Sequence, residues 1–212
     1  LGAENVHGIL MPSQFSTDHS VKDAEDLAKN LGASYDIIPI KNIYESYLEA
    51  MSDYFADGKW SVAQENIQAR VRGAILMTYS NKYNALVLNT SNKSELSMGY
   101  GTLYGDMCGA LMVIADLYKL QVYELARYIN REREIIPLST LTKAPSAELH
   151  PGQKDTDSLP KYEVLDPILY MLNEDKLSAE EIVAKGYDAQ IVTRVSNLKK
   201  RSSFKIHQIP PI

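Results

Sequence analysis

Val6-His7-Gly8-Ile9-Leu10-Met11, with the residues that follow up to position 40, indicates the class of fold. This short apolar run predicts a β-strand, and a helix is expected after it, starting at a cap on Thr17 or Asp18 and stopping at Gly32. A second apolar run, residues 35–40, is rich in isoleucine and begins soon after that helix ends. A strand, a helix and a second strand at this spacing predict a right-handed βαβ unit with parallel strands.

The rest of the chain continues the alternation of helices and strands. Helices are predicted at 42–56, 62–79, 122–129, 162–172, 179–185 and 189–203. The helix at 62–79 carries Ile67, Val71, Ile75 and Tyr79 on one face and Glu65, Gln68 and Arg72 on the opposite face. Residues 85–88 are wholly apolar, which is typical of a strand in the middle of a parallel sheet. The predicted fold class is α/β, an open parallel sheet with helices on both faces.

Composition restricts the classes of function. The 212 residues are 45% hydrophobic and 23% charged, as in a globular protein with a sizeable core. The net charge of −5 argues against a broad positive surface for nucleic acid, and the four histidines lack zinc-ligand spacing. The single cysteine, Cys108, excludes an intramolecular disulfide, and no apolar run is long enough to span a membrane. A cytoplasmic protein is therefore expected.

Polar residues follow the short strand at 85–88. Asn89-Thr90-Ser91-Asn92-Lys93-Ser94-Glu95 supplies hydroxyls, amides, a cation and a carboxylate, and the glycine-rich stretch Gly99-Tyr100-Gly101-Thr102-Leu103-Tyr104-Gly105-Asp106 comes next. Ligands of open α/β sheets bind at the carboxyl ends of the strands, so these residues predict a binding site. The alternative interpretation is a polar loop with a helix cap.

Three stretches of the chain, taken in order, carry a family resemblance. They are Gln64-Glu65-Asn66-Ile67-Gln68-Ala69-Arg70; Asn92-Lys93-Ser94-Glu95 with Tyr104-Gly105-Asp106; and Leu141-Thr142-Lys143-Ala144-Pro145-Ser146-Ala147-Glu148-Leu149 with Gln153-Lys154-Asp155 and Asp157-Ser158-Leu159-Pro160. Together they resemble the NAD synthetase family, and the Lys-Ser-Glu and Ser-Ala-Glu-Leu forms are more similar to its glutamine-dependent branch. The resemblance covers nearly the whole chain.

The resemblance implies a fold and a reaction. The fold is of the adenine nucleotide alpha-hydrolase type, which is Rossmann-like. In the reaction, ATP transfers AMP to the nicotinate carboxylate of deamido-NAD, and ammonia derived from glutamine then displaces AMP to form NAD. Adenylation converts a poor electrophile into one with a good leaving group, and Mg²⁺ offsets the negative charge on the phosphates.

The resemblance also implies roles for particular residues. The implied ATP contacts are Thr90, Lys119 and Ser146. The implied deamido-NAD contacts are Asn66, Arg70, Glu95, Tyr100, Gly101, Thr102, Leu103, Asp106 and Lys205. Glu95 is also the implied magnesium ligand, because Mg²⁺ prefers hard oxygen donors. The competing interpretations are a first-turn glutamate at a helix dipole for Glu95, a solvated surface charge for Lys119, and a structural cap or ion pair for Asn66 and Arg70.

Two parts of the family pattern are expected upstream of Leu1. They are a pyrophosphate-binding Ser-Gly-Gly loop and a glutaminase domain that carries a cysteine nucleophile. Residues 1–212 are therefore interpreted as a partial synthetase domain, inactive alone and expected to form at least a dimer. Cys108 has no base next to it in the sequence and is interpreted as a buried structural thiol. Residues 150–160 have almost no apolar anchor and predict a mobile loop. Within this segment, residues 154–157 resemble the loop that closes over the family's site.

Two other functions remain open at this point. The first is another adenylating amidotransferase, of the GMP synthetase or asparagine synthetase type. The second is a non-catalytic oligomerising module, in which the tyrosine-rich helix at 43–54 supplies the surface.

Overall fold

A computed structural model describes all residues from Leu1 to Ile212, and the chain divides into two units. The first unit comprises residues Leu1–Asn84 and Leu125–Asp155, and the second comprises Ala85–Glu124 and Thr156–Ile212. No helix in the chain is both long enough and apolar enough to cross a membrane.

The first unit is built on the predicted strand, helix and strand. Its elements are β1 (His7–Leu10), α1 (Asp18–Leu31), β2 (Ser34–Ile37), α2 (Lys41–Ala50), α3 (Val62–Tyr83) and α6 (Leu138–Thr142). Strands β1 and β2 pair in parallel, with His7 opposite Ser34 and Leu10 opposite Ile37. The hydroxyl of Thr17 accepts a hydrogen bond from the backbone N–H of Ser20, and Gly32 ends α1 at a φ of 70°. Both predicted boundaries of α1 are therefore confirmed.

Helix α3 differs from its prediction in length and in burial. It extends to Tyr83, where Asn84 ends it in the left-handed conformation at a φ of 51°. On the predicted apolar face Val71 is fully buried, whereas Ile67, Ile75 and Tyr79 are only partly buried. Gln68, on the face predicted as polar, is completely buried and donates a hydrogen bond of 2.7 Å from Nε2 to the carbonyl of Leu149. A glutamine that satisfies a distant backbone group has the same sequence signature as a solvated one.

The second unit contains the polar stretch and a second pair of strands. Its elements are β3 (Leu88–Asn89), α4 (Lys93–Met98), β4 (Leu111–Met112), α7 (Tyr162–Asn173), α8 (Ala179–Ala184) and α9 (Ala189–Ser202), and α5 (Lys119–Ile129) begins in this unit. Strands β3 and β4 pair in parallel, with Leu88 opposite Leu111. Parallel strands and helices confirm the α/β class. The strands nevertheless pair as two separate two-stranded sheets, and β4 was not predicted, because two residues are too short to show a periodicity.

The three closing helices form as predicted, and they supply much of the core of the second unit. Leu165, Ile168 and Leu169 of α7 are completely buried, as are Ile182 of α8 and Val192 of α9. The predicted capping box also forms, because the side chain of Ser178 accepts from the N–H of Glu181 and the Glu181 side chain accepts from the N–H of Ser178.

Two predicted segments need correction. The helix predicted at 42–56 ends at Ala50 and is followed by a 3₁₀ turn at Ser52–Phe55. Residues 150–160 are irregular apart from a 3₁₀ turn at Asp155–Asp157, but the idea that little anchors them is wrong. Asp155 and Leu159 are each only 5% exposed, and the N–H of Asp155 donates to the carbonyl of Pro145. Because single side chains anchor this segment, its sequence shows no apolar periodicity.

Candidate functional site

Glu95 lies in the first turn of α4, directly after β3. Asn92 caps this helix: its Oδ1 accepts from the N–H of Glu95 at 3.0 Å, and its own N–H donates to Oε2 of Glu95 at 3.1 Å. This is a capping box, so part of the role of Glu95 is local structure, as the competing interpretation of the sequence held. The other carboxylate oxygen of Glu95 points to a different partner.

That partner is Lys119, the first residue of α5. Its Nζ lies 3.0 Å from Oε1 of Glu95, and each side chain is only 19% exposed. Nζ of Lys119 also lies 5.5 Å from the ring centroid of Tyr162. The structure thus brings together the residue predicted to bind magnesium and a residue predicted to bind the ATP phosphates, and neither is a freely solvated surface charge. A shielded pair of opposite charges at the carboxyl end of a strand is suited to hold a charged ligand.

A buried network places Lys119 opposite Glu95. Asp166 of α7 accepts from the hydroxyl of Ser94 at 2.6 Å and from the N–H of Leu120 at 2.9 Å, and the Ser94 hydroxyl accepts from the N–H of Lys119 at 2.9 Å. Two backbone donors in the first turn of α5 therefore have side-chain partners. Ser94 is completely buried and Asp166 is 5% exposed. Burial raises the pKa of Asp166, while the hydrogen bonds from Ser94 and Leu120 oppose the rise.

Asp166 is not among the site residues predicted from the sequence. A usable signal exists, because Asp166 interrupts the apolar run Val164-Leu165-Asp166-Pro167-Ile168-Leu169 on a helix that is buried on that side. A charged residue on a buried helical face requires hydrogen-bonding partners.

The glycine-rich stretch folds into a tight loop after α4. Gly99 ends the helix at a φ of 63°, and the N–H of Thr102 donates to Oδ1 of Asp106 at 2.8 Å. A Cβ on Gly101 would lie 2.8 Å from the side chain of Met107, so the loop requires glycine there unless Met107 moves. Leu103 is partly buried against Met107 and its neighbours. The loop holds Gly101, Thr102, Leu103 and Asp106 in one small region of this unit.

Tyr100 has a structural role within this loop. Its side chain packs against the core cluster formed by α7, α8 and α9. The ring was predicted to face deamido-NAD. Its packing against the core explains the burial of part of the ring without a ligand.

Lys205 reaches the same loop from the 3₁₀ turn Ser203–Gln208. Its Nζ donates to the carbonyl of Gly99 at 2.8 Å and to the carbonyl of Gly101 at 2.6 Å. Burial lowers the pKa of Lys205, and the nearby Asp106 opposes the shift. Two of the three ammonium donors thus fasten the loop, and one remains for a ligand.

Thr90 is exposed and follows β3 directly. It lies in the same unit as Glu95 and Lys119, at the end of the strand that leads into the polar stretch. The position agrees with the predicted ATP contact, and the contact itself stays a prediction.

The remaining predicted residues belong to the first unit. Asn66 and Arg70 lie one helical turn apart on α3, where Asn66 is partly buried and Arg70 is exposed. Ser146 lines a pocket of about 490 Å³, together with Thr17, His19, Lys143 and Glu148 among others. The hydroxyl of Ser146 accepts a hydrogen bond from the N–H of Glu148 at 3.1 Å.

Cys108 and the histidines provide no second reactive centre. The thiol of Cys108 is half-buried rather than fully buried, and burial raises its pKa, which disfavours the reactive thiolate. No group of three or more histidine, cysteine, aspartate or glutamate side chains is placed to hold a metal ion.

Comparison with known proteins identifies the family. A family model described as NAD synthase matches residues 1–209. The glutamine-dependent NAD(+) synthetase of Synechocystis sp. is 53% identical over 211 residues, which cover 100% of this chain and 38% of that protein. A solved structure of the glutamine-dependent NAD+ synthetase from Acinetobacter baumannii, in complex with ADP, is 40% identical with a TM-score of 0.66 and covers 98% of this chain and 37% of that one.

A shorter relative is named for a different product. The structure of NMN synthetase from Francisella tularensis is 30% identical with a TM-score of 0.79, and it covers 94% of this chain and 75% of that one. The present chain spans little more than a third of the glutamine-dependent relatives. The match over residues 1–209, with a shielded carboxylate and lysine after a parallel strand, shows that this chain belongs to the NAD synthase family.

Proposed function

We propose that this chain provides the synthetase site of a glutamine-dependent NAD synthetase, which converts deamido-NAD, ATP and ammonia to NAD, AMP and pyrophosphate. The observation that carries the proposal is the family match over residues 1–209, in which the predicted ATP and magnesium residues Lys119 and Glu95 form a shielded pair. The 53% identical Synechocystis relative favours the glutamine-dependent branch.

The proposed reaction has two steps. A carboxylate oxygen of the nicotinate group attacks the α-phosphorus of ATP, and the bond to pyrophosphate breaks. The nitrogen of ammonia then attacks the carboxyl carbon of the adenylate, AMP leaves with the bonding electrons, and a proton is lost to give the carboxamide. In both steps negative charge builds up on oxygens, so cations held in fixed positions lower the barrier.

Lys119 and Glu95 are suited to this charge balance. The backbone N–H of Lys119 donates to the Ser94 hydroxyl, and its ammonium group donates to Oε1 of Glu95. We assign this ammonium group to the ATP phosphates. Thr90, exposed at the end of β3, and Ser146, in the pocket of the first unit, are the other assigned ATP contacts.

The donor set fits Mg²⁺ only in part. One carboxylate plus substrate phosphates is an arrangement that magnesium uses, and Glu95 supplies a carboxylate. Oε1 of Glu95, however, is paired with Lys119, so this oxygen would have to exchange the lysine for the metal or share it. When bound, Mg²⁺ would neutralise charge on the phosphates.

The deamido-NAD contacts are assigned to the glycine-rich loop and to α3. Thr102 and Asp106 order the loop through their mutual hydrogen bond, and Lys205 fastens it from the other side. We assign Asn66 and Arg70 to the pyrophosphate or carboxylate of the substrate, since an amide and a guanidinium one turn apart can bind such groups together.

The proposal extends to the longer protein. The curated relatives are more than twice as long as this chain, and we propose that a glutaminase domain and a pyrophosphate loop belong to the full-length enzyme. Assembly into at least a dimer and a cytoplasmic location are part of the same proposal.

The decisive experiment measures NAD and AMP from deamido-NAD, ATP, Mg²⁺ and ammonia. It uses the full-length protein and residues 1–212 side by side. Equal amounts of NAD and AMP from the full-length protein support the proposal. ATP binding without NAD formation contradicts the substrate assignment. NAD formation by residues 1–212 alone contradicts the interpretation that these residues hold an incomplete catalytic site.

A control with the mononucleotide is needed, because the Francisella tularensis relative is an NMN synthetase. Nicotinate mononucleotide replaces deamido-NAD in the same assay. A kcat/KM for deamido-NAD at least tenfold higher supports the NAD assignment, and the reverse ratio indicates NMN synthesis.

A further inference from the structure

The amino end of α1 is closed by a carboxylate from a distant part of the chain. Oε1 of Glu148 accepts from the hydroxyl of Ser20 at 2.6 Å and from the hydroxyl of Thr17 at 3.2 Å, and Oε2 accepts from the N–H of Thr17 at 3.4 Å. Nζ of Lys143 lies 2.6 Å from the Ser20 hydroxyl and 3.7 Å from Glu148. A negative side chain at a helix amino end is favourable, because it meets the positive end of the helix dipole.

The backbone of Glu148 is in an unfavourable conformation. Its φ is 49°, in the left-handed region that non-glycine residues seldom occupy. Such a conformation persists where surrounding contacts compensate for it, and these residues concentrate at functional sites. The hydrogen bonds of the Glu148 side chain with Thr17 and Ser20 are contacts of this kind, and hydrogen bonds to a charged group are stronger than neutral ones.

The same residue fixes the hydroxyl of Ser146. The N–H of Glu148 donates to Oγ of Ser146 at 3.1 Å, so the hydroxyl hydrogen of Ser146 remains to be donated elsewhere. Both residues line the 490 Å³ pocket, beside the cationic Lys143. The side chain of Glu148 is 21% exposed, so it is an anchor at the pocket wall and not part of the core.

We propose that Glu148 is a positioning residue: it anchors the loop that contains Ser146 to the amino end of α1 and thereby aims the Ser146 hydroxyl at a phosphate oxygen of ATP. This inference rests on the proposed function, in which Ser146 contacts ATP. It assigns to Glu148 no contact with the substrates. The amino end of α1 is occupied by Glu148 and is therefore not itself the phosphate site.

The test uses the full-length enzyme with Glu148→Ala, Glu148→Gly and Ser146→Ala. Both Glu148 variants are expected to raise the KM for ATP about tenfold or more, because a charge-assisted anchor is lost, with kcat within about twofold and the KM for deamido-NAD unchanged. Glycine relieves the left-handed backbone, whereas alanine does not. If Glu148→Gly behaves like the wild type, backbone strain and not anchoring is the relevant property, and the proposal is overturned.

A double-mutant cycle tests whether Glu148 acts through Ser146. The double variant Glu148→Ala with Ser146→Ala is expected to have the same KM for ATP as Ser146→Ala alone. Multiplicative effects of the two changes contradict the proposal. Glu25→Gln, which changes an exposed ion pair with Lys29 on the same helix, is the matched control and should leave the KM unchanged.

Nucleotide binding without turnover separates this proposal from the proposed function. Trp60 is the single tryptophan, and its ring lies edge-on to Phe15 of the pocket wall, at 5.6 Å between centroids. Titration with ATP should change its fluorescence, with an affinity about tenfold weaker in Glu148→Ala. Equal affinities overturn the positioning role, even if NAD formation is absent and the reaction itself has to be reassigned.

Discussion

Two carboxylates, Asp166 and Glu148, perform the same local task in different surroundings. Asp166 accepts from the backbone at the start of α5, and Glu148 accepts from the backbone at the start of α1. Each carboxylate comes from a distant segment of the chain. Each also accepts a hydrogen bond from a serine hydroxyl, that of Ser94 for Asp166 and that of Ser20 for Glu148. Each also stands one or two contacts from a predicted ATP ligand, Lys119 or Ser146.

The two carboxylates differ in their exposure to solvent. Asp166 is 5% exposed and Ser94 is completely buried, whereas the Glu148 side chain is 21% exposed and Lys143 beside it is 41% exposed. Water can replace a lost partner at Glu148 but not at Asp166. We therefore expect the same hydrogen-bond pattern to contribute mainly to folding at Asp166 and, under the positioning proposal, mainly to ligand binding at Glu148.

The largest effect is expected for Asp166→Ala. It leaves the Ser94 hydroxyl and the N–H of Leu120 without their acceptor in the buried interior of the unit. We expect a loss of about 3 kcal/mol in the free energy of unfolding, measured by urea denaturation. Glu148→Ala should cost about 1 kcal/mol or less, because its partners regain water. Equal losses would show that burial does not separate the two sites.

The second change, Glu95→Gln, separates charge from helix capping. Glutamine can still accept from the N–H of Asn92, so the capping box survives and the melting temperature should change little. The charge opposite Lys119 is lost, and NAD formation is expected to fall by about 100-fold or more, which corresponds to about 2.7 kcal/mol. Initial rates at varied Mg²⁺ check this. Unchanged turnover would remove Glu95 from the proposed site.

A third change, Thr17→Ala, weakens the contacts between Glu148 and the amino end of α1. It removes the cap of α1 and one hydrogen bond to Glu148. Loss of an N-cap costs about 1 kcal/mol, and the KM for ATP should rise in parallel with that in Glu148→Ala. Thermal unfolding and ATP kinetics on the same preparation test both parts. A stability loss with an unaltered KM would show that the α1 end does not position Ser146.

The smallest expected effect concerns pH. Burial raises the folded-state pKa of Asp166 above the value of about 4 in the unfolded chain. The folded state therefore binds the proton more tightly, and the contribution of Asp166 to stability is present in full below about pH 4 and falls as pH rises through the raised pKa. The stability difference between wild type and Asp166→Asn should decrease over that window and then level off. A difference that grows with pH would contradict the raised pKa of Asp166 and would show that its hydrogen bonds outweigh its burial.

Local features of the fold were predictable because their causes lie within a few residues. Thr17 and Gly32 bound α1, and Ser178 begins α8, through hydrogen bonds and backbone preferences that the sequence displays directly. The family resemblance also identified Glu95, Lys119 and Ser146 as candidates. For Glu95 and Lys119, the 3.0 Å pair between them required the folded chain.

The α/β class, the limits of several helices and the polar stretch after β3 follow from the amino-acid sequence. Four features depend on how the folded chain packs: the pairing of β3 with β4, the burial of Gln68, the contact of Lys205 with the Gly99 loop, and the anchoring of the Ser146 loop by Glu148. Those contacts join residues from about 20 to more than 120 positions apart, and the side chains involved are also common in solvent. Caps and periodicity act within one turn of the chain, whereas a distant partner is chosen by the packing of the whole unit, which leaves no local pattern.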